Sequence, residues 1–335
     1  ERFPSTGHVP ALACRSCYLL VFLGSATIIN MRPCATPWHD GLLAAVLTTF
    51  VAFFFALAFR NSSIYDPYWC CFPLCASACW IAENPHQISA RSLYTFALLV
   101  CWVVRYNCQW PWEGWTTGLH TEDWRYLLMA RGLGIHDSCG PVYWIMVSLL
   151  GVHLVPTMLV WCVFGPVHTV WTRESPAAFK LMDILAMGTS LTGIGLQFLS
   201  DRTLYNFRRK HMDLTSHDNF ETHSCRATCR EGLWCFSRHP NYLGEVLFWA
   251  GMNFASVAAD PSEWLCSLGG VLQYACFFRI SASLMDRRSL AHRPGFEQVC
   301  HYAMSTPLRS GEWFAQPRSC VAVDCPKTML CDVNE

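Results

Sequence analysis

Residues 232 to 249 read Gly-Leu-Trp-Cys-Phe-Ser-Arg-His-Pro-Asn-Tyr-Leu-Gly-Glu-Val-Leu-Phe-Trp. Arg238 supplies a permanent cation, His239 an imidazole, Asn241 an amide, Tyr242 a phenol and Glu245 a carboxylate. Pro240 can open a helix at its first position, so Arg238 and His239 just precede that helix. Asn241, Tyr242 and Glu245 then fall in its first turn or two. Asn241 and Glu245 are four apart and share a face. Glu245 lies just inside an apolar run, where an ionisable side chain marks a functional site. The N-terminus of such a helix also favours anions such as phosphate. The plainer alternative is an interfacial anchor, with Arg238 and His239 on lipid headgroups and Glu245 paired within the protein.

The elements that position these residues follow from composition. The chain has 335 residues, 53% hydrophobic and 14% charged, where globular domains carry about 25% charge. That deficit points to lipid as solvent. The 15 Trp and 21 Phe suit aromatic belts at two interfaces. The formal net charge is +0, so no overall basic field argues for nucleic acid. A membrane helix needs about 20 mostly apolar residues. Spans are expected at 11–30, 41–60, 67–82, 90–106, 141–165, 177–200, 243–259 and 262–282. The third is short enough to be re-entrant, so the fold class is an all-α polytopic membrane bundle of seven or eight transmembrane helices. The segments 107–140, 201–242 and the chain after 282 carry most of the Lys and Arg outside the spans, and two spans separate neighbours in that series. The positive-inside rule therefore places all three on the cytosolic side. Asn61-Ser62-Ser63 is a glycosylation sequon that this topology leaves unused. No cleavage site for a signal peptide follows the first apolar run.

The stretch 232–249 resembles the Arg-His-Pro-Asn-Tyr-x-Gly-Glu signature of steroid 5α-reductase-like proteins, and a close relative of it is found in sterol C14 and C7 reductases. The resemblance extends to Gln197-Phe-Leu-Ser-Asp201 and Arg208, with Gln197 standing where the family has Asn. Asn61-Ser-Ser-Ile-Tyr-Asp-Pro-Tyr-Trp69, Arg105-Tyr-Asn107 and Glu122-Asp-Trp-Arg-Tyr126 resemble the uncharacterised, DUF1295-type branch. So does the segment from Met285-Asp-Arg-Arg288 through Phe296, His301-Tyr302 and Pro307. The resemblance implies N-terminal transmembrane helices over 1–60 and a reductase-like membrane domain over 61–315, whose part 190–310 holds the cofactor. Residues 316–335 are expected to form a polar, disordered tail. It also implies NADPH as cofactor, held by Gln197, Asp201, Arg208, Arg238, His239, Asn241, Tyr242, Glu245 and either Arg287 or Arg288. The expected substrate is a steroid or other lipid, and the expected location is the endoplasmic reticulum with the cofactor site facing the cytosol.

Reduction of a C=C bond conjugated to a carbonyl needs a donor at the carbonyl oxygen, where negative charge builds. The steroid reductases keep a Glu and a Tyr in their N-terminal helices for this. Tyr65, Asp66 and Tyr68, at the cytosolic mouth of a span, are the candidates here. A second reading is an S-adenosylmethionine-dependent membrane methyltransferase. Isoprenylcysteine and phospholipid methyltransferases share an Arg-His-Pro-x-Tyr-x-Gly core, but Glu245 after Gly244, with Asp201 and Arg208 upstream, favours the reductase. A third is a non-catalytic protein that keeps the fold. Other groupings read as packing or interface. Cys14-Arg-Ser-Cys17 lacks the context of a redox motif, and Cys71, Cys75 and Cys79 form a helical core stripe. The His and Cys residues of 211–239 match no standard zinc spacing, so no metal is expected. Trp110, Trp112, Trp115 and Trp124 suit an interfacial loop, or a cap over the cofactor.

Overall fold

The computed structural model describes residues 7–109, 115–131, 136–173, 181–211, 227–293, 296, 297 and 299. Each segment expected to be apolar and helical is helical within its described residues, 177–180 lying outside them. These are α1 (Ala11–Met31), α2 (Pro37–Phe59), α3 (Asp66–Glu83) and α4 (Ala90–Gln109). After α5 (Trp124–Arg131) and α6 (His136–Val147), a π-helical stretch, Ser148–Leu154, runs into α7 (Val155–Phe164). A 3₁₀ turn, Gly165–His168, leads to the short α8 (Thr169–Thr172). Then come α9 (Leu181–His211), α10 (Pro240–Ala259) and α11 (Trp264–His292). Among the described residues there is no strand; Val9 and Leu119 form an isolated antiparallel bridge.

Among the described residues, five helical segments are long and apolar enough to cross a membrane: Ala11–Met31, Pro37–Phe59, Val142–Thr172, Leu181–His211 and Pro261–Ala291. The expected seven or eight included α3, α4 and α10. These three carry Pro73, Arg91, Arg105, Glu245 and Asn253, which lower their hydropathy. Much of their polar content is buried, Arg91, Glu245 and Asn253 among it. Lipid-facing helices must be apolar outside, whereas inner helices can hold polar groups that find partners within the bundle. The outer surface shows the complement: Leu19 and Leu23 on α1, Phe54 on α2, Leu191 and Phe198 on α9, and Leu265 and Leu272 on α11 are exposed.

The interior is aromatic. Trp80, Trp102, Trp161, Trp171 and Trp249 are fully buried with Phe164 and Phe248. Trp102 stacks on Phe248 with ring centroids 5.1 Å apart. Helices α9 and α10 approach backbone to backbone. A methyl group built on Gly244 would lie 2.6 Å from Gly193 O, and one on Gly193 would lie 2.5 Å from Gly244 O. Two glycines thus let the backbones touch, and this contact brings Asp201 beside Asn241. At one end of the bundle Arg91 and Asp183, both buried, form a two-pronged ion pair at 2.6 and 2.8 Å. At the other end the segments 201–211, 227–239 and 285–299 converge on one cavity. Described residues of two of the three basic segments thus line the same cavity.

Asn61 is buried at 1% exposure, and its Nδ2 donates to Gly7 O and Thr121 O, each at 3.1 Å. That nitrogen is occupied by the fold, which leaves the sequon without an accessible acceptor. The tail 316–335, and with it Cys320, Cys325 and Cys331, lies outside the described residues, as does most of the His- and Cys-containing segment 211–239.

Candidate cofactor site

Pro240 occupies the first turn of α10 with His239 as its N-cap, as the sequence predicts. Arg238 and His239 are therefore fixed just ahead of the helix, and Asp286 on α11 holds both. Arg238 lies 3.1 Å from Asp286 Oδ2, and His239 Nε2 lies 2.8 Å from Oδ1. The His239 ring stacks on Tyr242 with centroids 5.3 Å apart and an interplanar angle of 17°. Behind the loop, Trp234 Nε1 donates to Ser200 O at 2.9 Å and ties it to α9.

These groups surround a cavity of about 270 Å³. Asp201 and Arg208 reach it from α9, Arg238 and His239 from the loop, and Asn241 and Tyr242 from α10. Met285 and Ser289 of α11, then Arg293, Phe296 and Val299, close the far wall. Asn241 Nδ2 donates to Asp201 Oδ1 at 3.2 Å. Cys229 also lines the wall, and burial pushes its thiol up, so it remains a protonated, weakly polar group. Three arginines line one space beside an aromatic face and an Asp–Asn pair, groups whose chemistry is able to bind phosphate. Among the described residues no group of three or more His, Cys, Asp or Glu could hold a metal ion.

The remaining residues expected at the cofactor do not line this cavity. Both oxygens of Glu245 are occupied by protein donors: Trp102 Nε1 at 2.9 Å on Oε2, and Trp249 Nε1 at 3.2 Å and Tyr274 Oη at 3.1 Å on Oε1. Gln197 is fully buried and accepts from Arg105 through Oε1. Arg287 is exposed, and the Arg288 guanidinium lies 4.0 Å from the ring centre of Trp124. Arg293, Asp286 and Arg105 are the residues that sequence reasoning left out of the site. An arginine within the apolar run of α4 was itself a signal for Arg105. Asp286 stood inside the Met285-Asp-Arg-Arg288 segment.

Tyr65, Asp66 and Tyr68 are all buried on the N-terminal side, and none lines the 270 Å³ cavity. Tyr65 Oη pairs with Thr157 Oγ1 at 2.7 Å. Tyr68 Oη donates to Ala45 O at 2.8 Å and also contacts Thr48 Oγ1 at 2.8 Å. The two phenols line a separate void of about 10 Å³, close to the minimum for a single water. Asp66 Oδ1 accepts from Tyr126 Oη at 2.5 Å, while its buried Oδ2 has no hydrogen-bond partner among the described residues.

The pattern of the family described as "Protein of unknown function (DUF1295)" matches residues 52–306, which include every candidate named above. The chain belongs to the DUF1295 family. An uncharacterized protein of Schizosaccharomyces pombe is 22% identical over 287 residues, covering 82% of this chain and 80% of that protein. No solved structure matches. For this DUF1295 chain, then, chemistry has to be argued from the cavity itself.

Proposed function

We propose that this DUF1295 protein is a membrane-embedded reductase that uses NADPH to reduce a conjugated C=C bond in a steroid or other lipid. The observation that carries this reading is the cavity shared by Arg208, Arg238, Arg293, Asp201, Asn241, His239 and Tyr242. The motif resemblance of the same residues to steroid 5α-reductase-like proteins supports it. In this reading α3, α4 and α10 also cross the bilayer, for seven or eight crossings in all. The cavity end faces the cytosol of the endoplasmic reticulum.

The donor set fits a dinucleotide. Arginines hold phosphates through paired N–H groups, Asp201 and Asn241 suit ribose hydroxyls and a carboxamide, and the stacked His239 and Tyr242 offer a flat face. The volume of about 270 Å³ lies near the lower bound for ligand pockets, so it suits the phosphate-bearing part rather than a whole dinucleotide. When bound, a nicotinamide supplies a hydride to carbon. The chain must then exclude water, which the aromatic interior does, and stabilise charge on the substrate oxygen. Among Tyr65, Asp66 and Tyr68, only Asp66 has an oxygen not already engaged within the protein. Asp66 Oδ2 is our choice for the atom that carries the proton to that oxygen.

The test is ligand-induced thermal stabilisation in detergent, comparing NADPH with S-adenosylmethionine. A ligand that binds only the folded state stabilises it by about 2.7 kcal/mol at a hundredfold excess over Kd. NADPH should raise the melting temperature and S-adenosylmethionine should not. The reverse result replaces the reductase by a methyltransferase, and no shift with either leaves a non-catalytic protein that keeps the fold.

A further inference from the structure

Behind the cavity wall lies Arg105, on α4. Its guanidinium bonds Gln197 Oε1 and stands 3.4 Å from Asp201 Oδ2. The other oxygen of Asp201 accepts from Asn241 Nδ2 at 3.2 Å. Asp201 and Asn241 line the cavity, and Arg105 backs them from the bundle side. The Arg105 side chain is 11% exposed and that of Asp201 16%, so the pair is poorly screened. An unpaired carboxylate on the wall of a phosphate-binding cavity would repel its ligand and be costly to bury. A cation behind the carboxylate cancels that charge without competing for the ligand. Two further donors of the cluster, Arg105 Nε and Gln197 Nε2, are buried with no partner among the described residues. Such surplus polarity points to a cluster kept for function as well as for packing.

We infer that Arg105 is a positioning residue of the cavity: it neutralises Asp201 from within the bundle and so holds Asn241 in place for an anionic nucleotide. The inference deepens the reductase reading and rests on it only for the identity of that nucleotide. It also makes the cofactor site depend on a helix from the N-terminal half of the chain.

The experiment is an equilibrium titration of the full chain in detergent, below the melting temperature of every variant. The series comprises Arg105→Met, Arg105→Lys, Asp201→Asn and the double variant Arg105→Met with Asp201→Asn. Arg105→Met should weaken NADPH binding by about tenfold or more, within the range of coupling between contacting charges. Asp201→Asn alone should weaken it less. The double variant should recover to the level of Asp201→Asn, because the stranded carboxylate is gone. Arg105→Lys should fall between the parent and Arg105→Met. A merely structural Arg105 gives effects that multiply in the double variant and no rescue by Lys, and either outcome overturns the inference. So does binding by all variants within about twofold of the parent. ADP titrated against the same series separates the two claims. If the parent binds ADP with this variant pattern but not NADPH, the reductase reading falls and the inference stands. If the parent binds neither, both fall.

Discussion

Replacing Glu245 by Gln changes almost nothing in shape, but it removes a charge and turns one acceptor into a donor. Three donors face the side chain, from Trp102, Trp249 and Tyr274, the partner set of an ionised carboxylate. A glutamine oxygen placed toward Trp249 and Tyr274 keeps two bonds, now to a neutral acceptor. Its amide N–H then confronts the Trp102 N–H, and both donors are stranded. A bond to a charged group contributes about 1.5–3 kcal/mol, one between neutral groups about 0.5–1.5, and a stranded buried donor costs about 1–3. Relief from burying a charge offsets part of the sum. The net expectation is a loss of about 2–4 kcal/mol of stability. Tyr274→Phe removes one donor and should lose about half as much. Glu245 lies outside the cavity, so its NADPH affinity per folded molecule should match the parent within about twofold, a change of less than 0.5 kcal/mol. The assay pairs detergent melting without ligand with an NADPH titration well below the transition. An unchanged melting temperature together with a tenfold loss of affinity would refute this account and return Glu245 to the cofactor.

Two further perturbations test other parts of the architecture. Gly244→Ala places a methyl group 2.6 Å from the backbone of Gly193, which cannot yield as a side chain could. It should destabilise the protein by about 1–3 kcal/mol and weaken ligand binding by spreading Asp201 from Asn241, whereas wild-type melting would show that the two helices do not touch there. For topology, Arg209→Cys and Ser262→Cys put thiols at exposed positions at opposite ends of the bundle. An impermeant maleimide applied to sealed microsomes should label the first from the cytosolic side and leave the second unlabelled. Labelling only of the second would invert the orientation.

The expected spans were legible because each is a long apolar run, and the structure is helical within each of them, whereas α5 and the start of α6 fall in the expected loop 107–140. The bounds moved where hydropathy and hydrogen bonding part company. The apolar run ends near residue 200, yet α9 continues to His211, since backbone bonds persist after the side chains turn polar. That extension carries Asp201 and Arg208 into the cavity. The site was legible as far as the turn at Pro240, whose chemistry fixes Arg238, His239, Asn241 and Tyr242 together. One turn further in, the structure gives Glu245 partners within the bundle. Asn241 and Glu245 do share a face, but that face passes from the cavity to Trp102 within a single turn, and no spacing rule reveals a partner 143 positions away. Arg288 likewise was taken by Trp124, a contact that depends on how a distant loop folds back.

That loop bears on how, in the proposed function, the cavity could serve candidate donors elsewhere in the bundle. Residues 119–126 are stitched to the N-terminal helices: Ser62 N donates to Glu122 Oε1 at 2.6 Å, Asp123 N to Ser63 Oγ at 2.8 Å, and Tyr126 to Asp66 at 2.5 Å. The same stretch reaches α11 through Trp124 over Arg288, one residue before Ser289 in the cavity wall. Arg105 makes a second link from α4 to Asp201. The wall of the cavity is therefore held on two sides by the half of the chain that contains Tyr65, Asp66 and Tyr68. A substrate donor on α3 and a cofactor on α9 to α11 need a fixed relation to each other, and at about 1 Å of misplacement catalysis falls steeply. The two links at the cavity add to the Arg91–Asp183 ion pair and the Trp102–Glu245 hydrogen bond, which also tie α4 to α9 and α10, and together they would supply that relation.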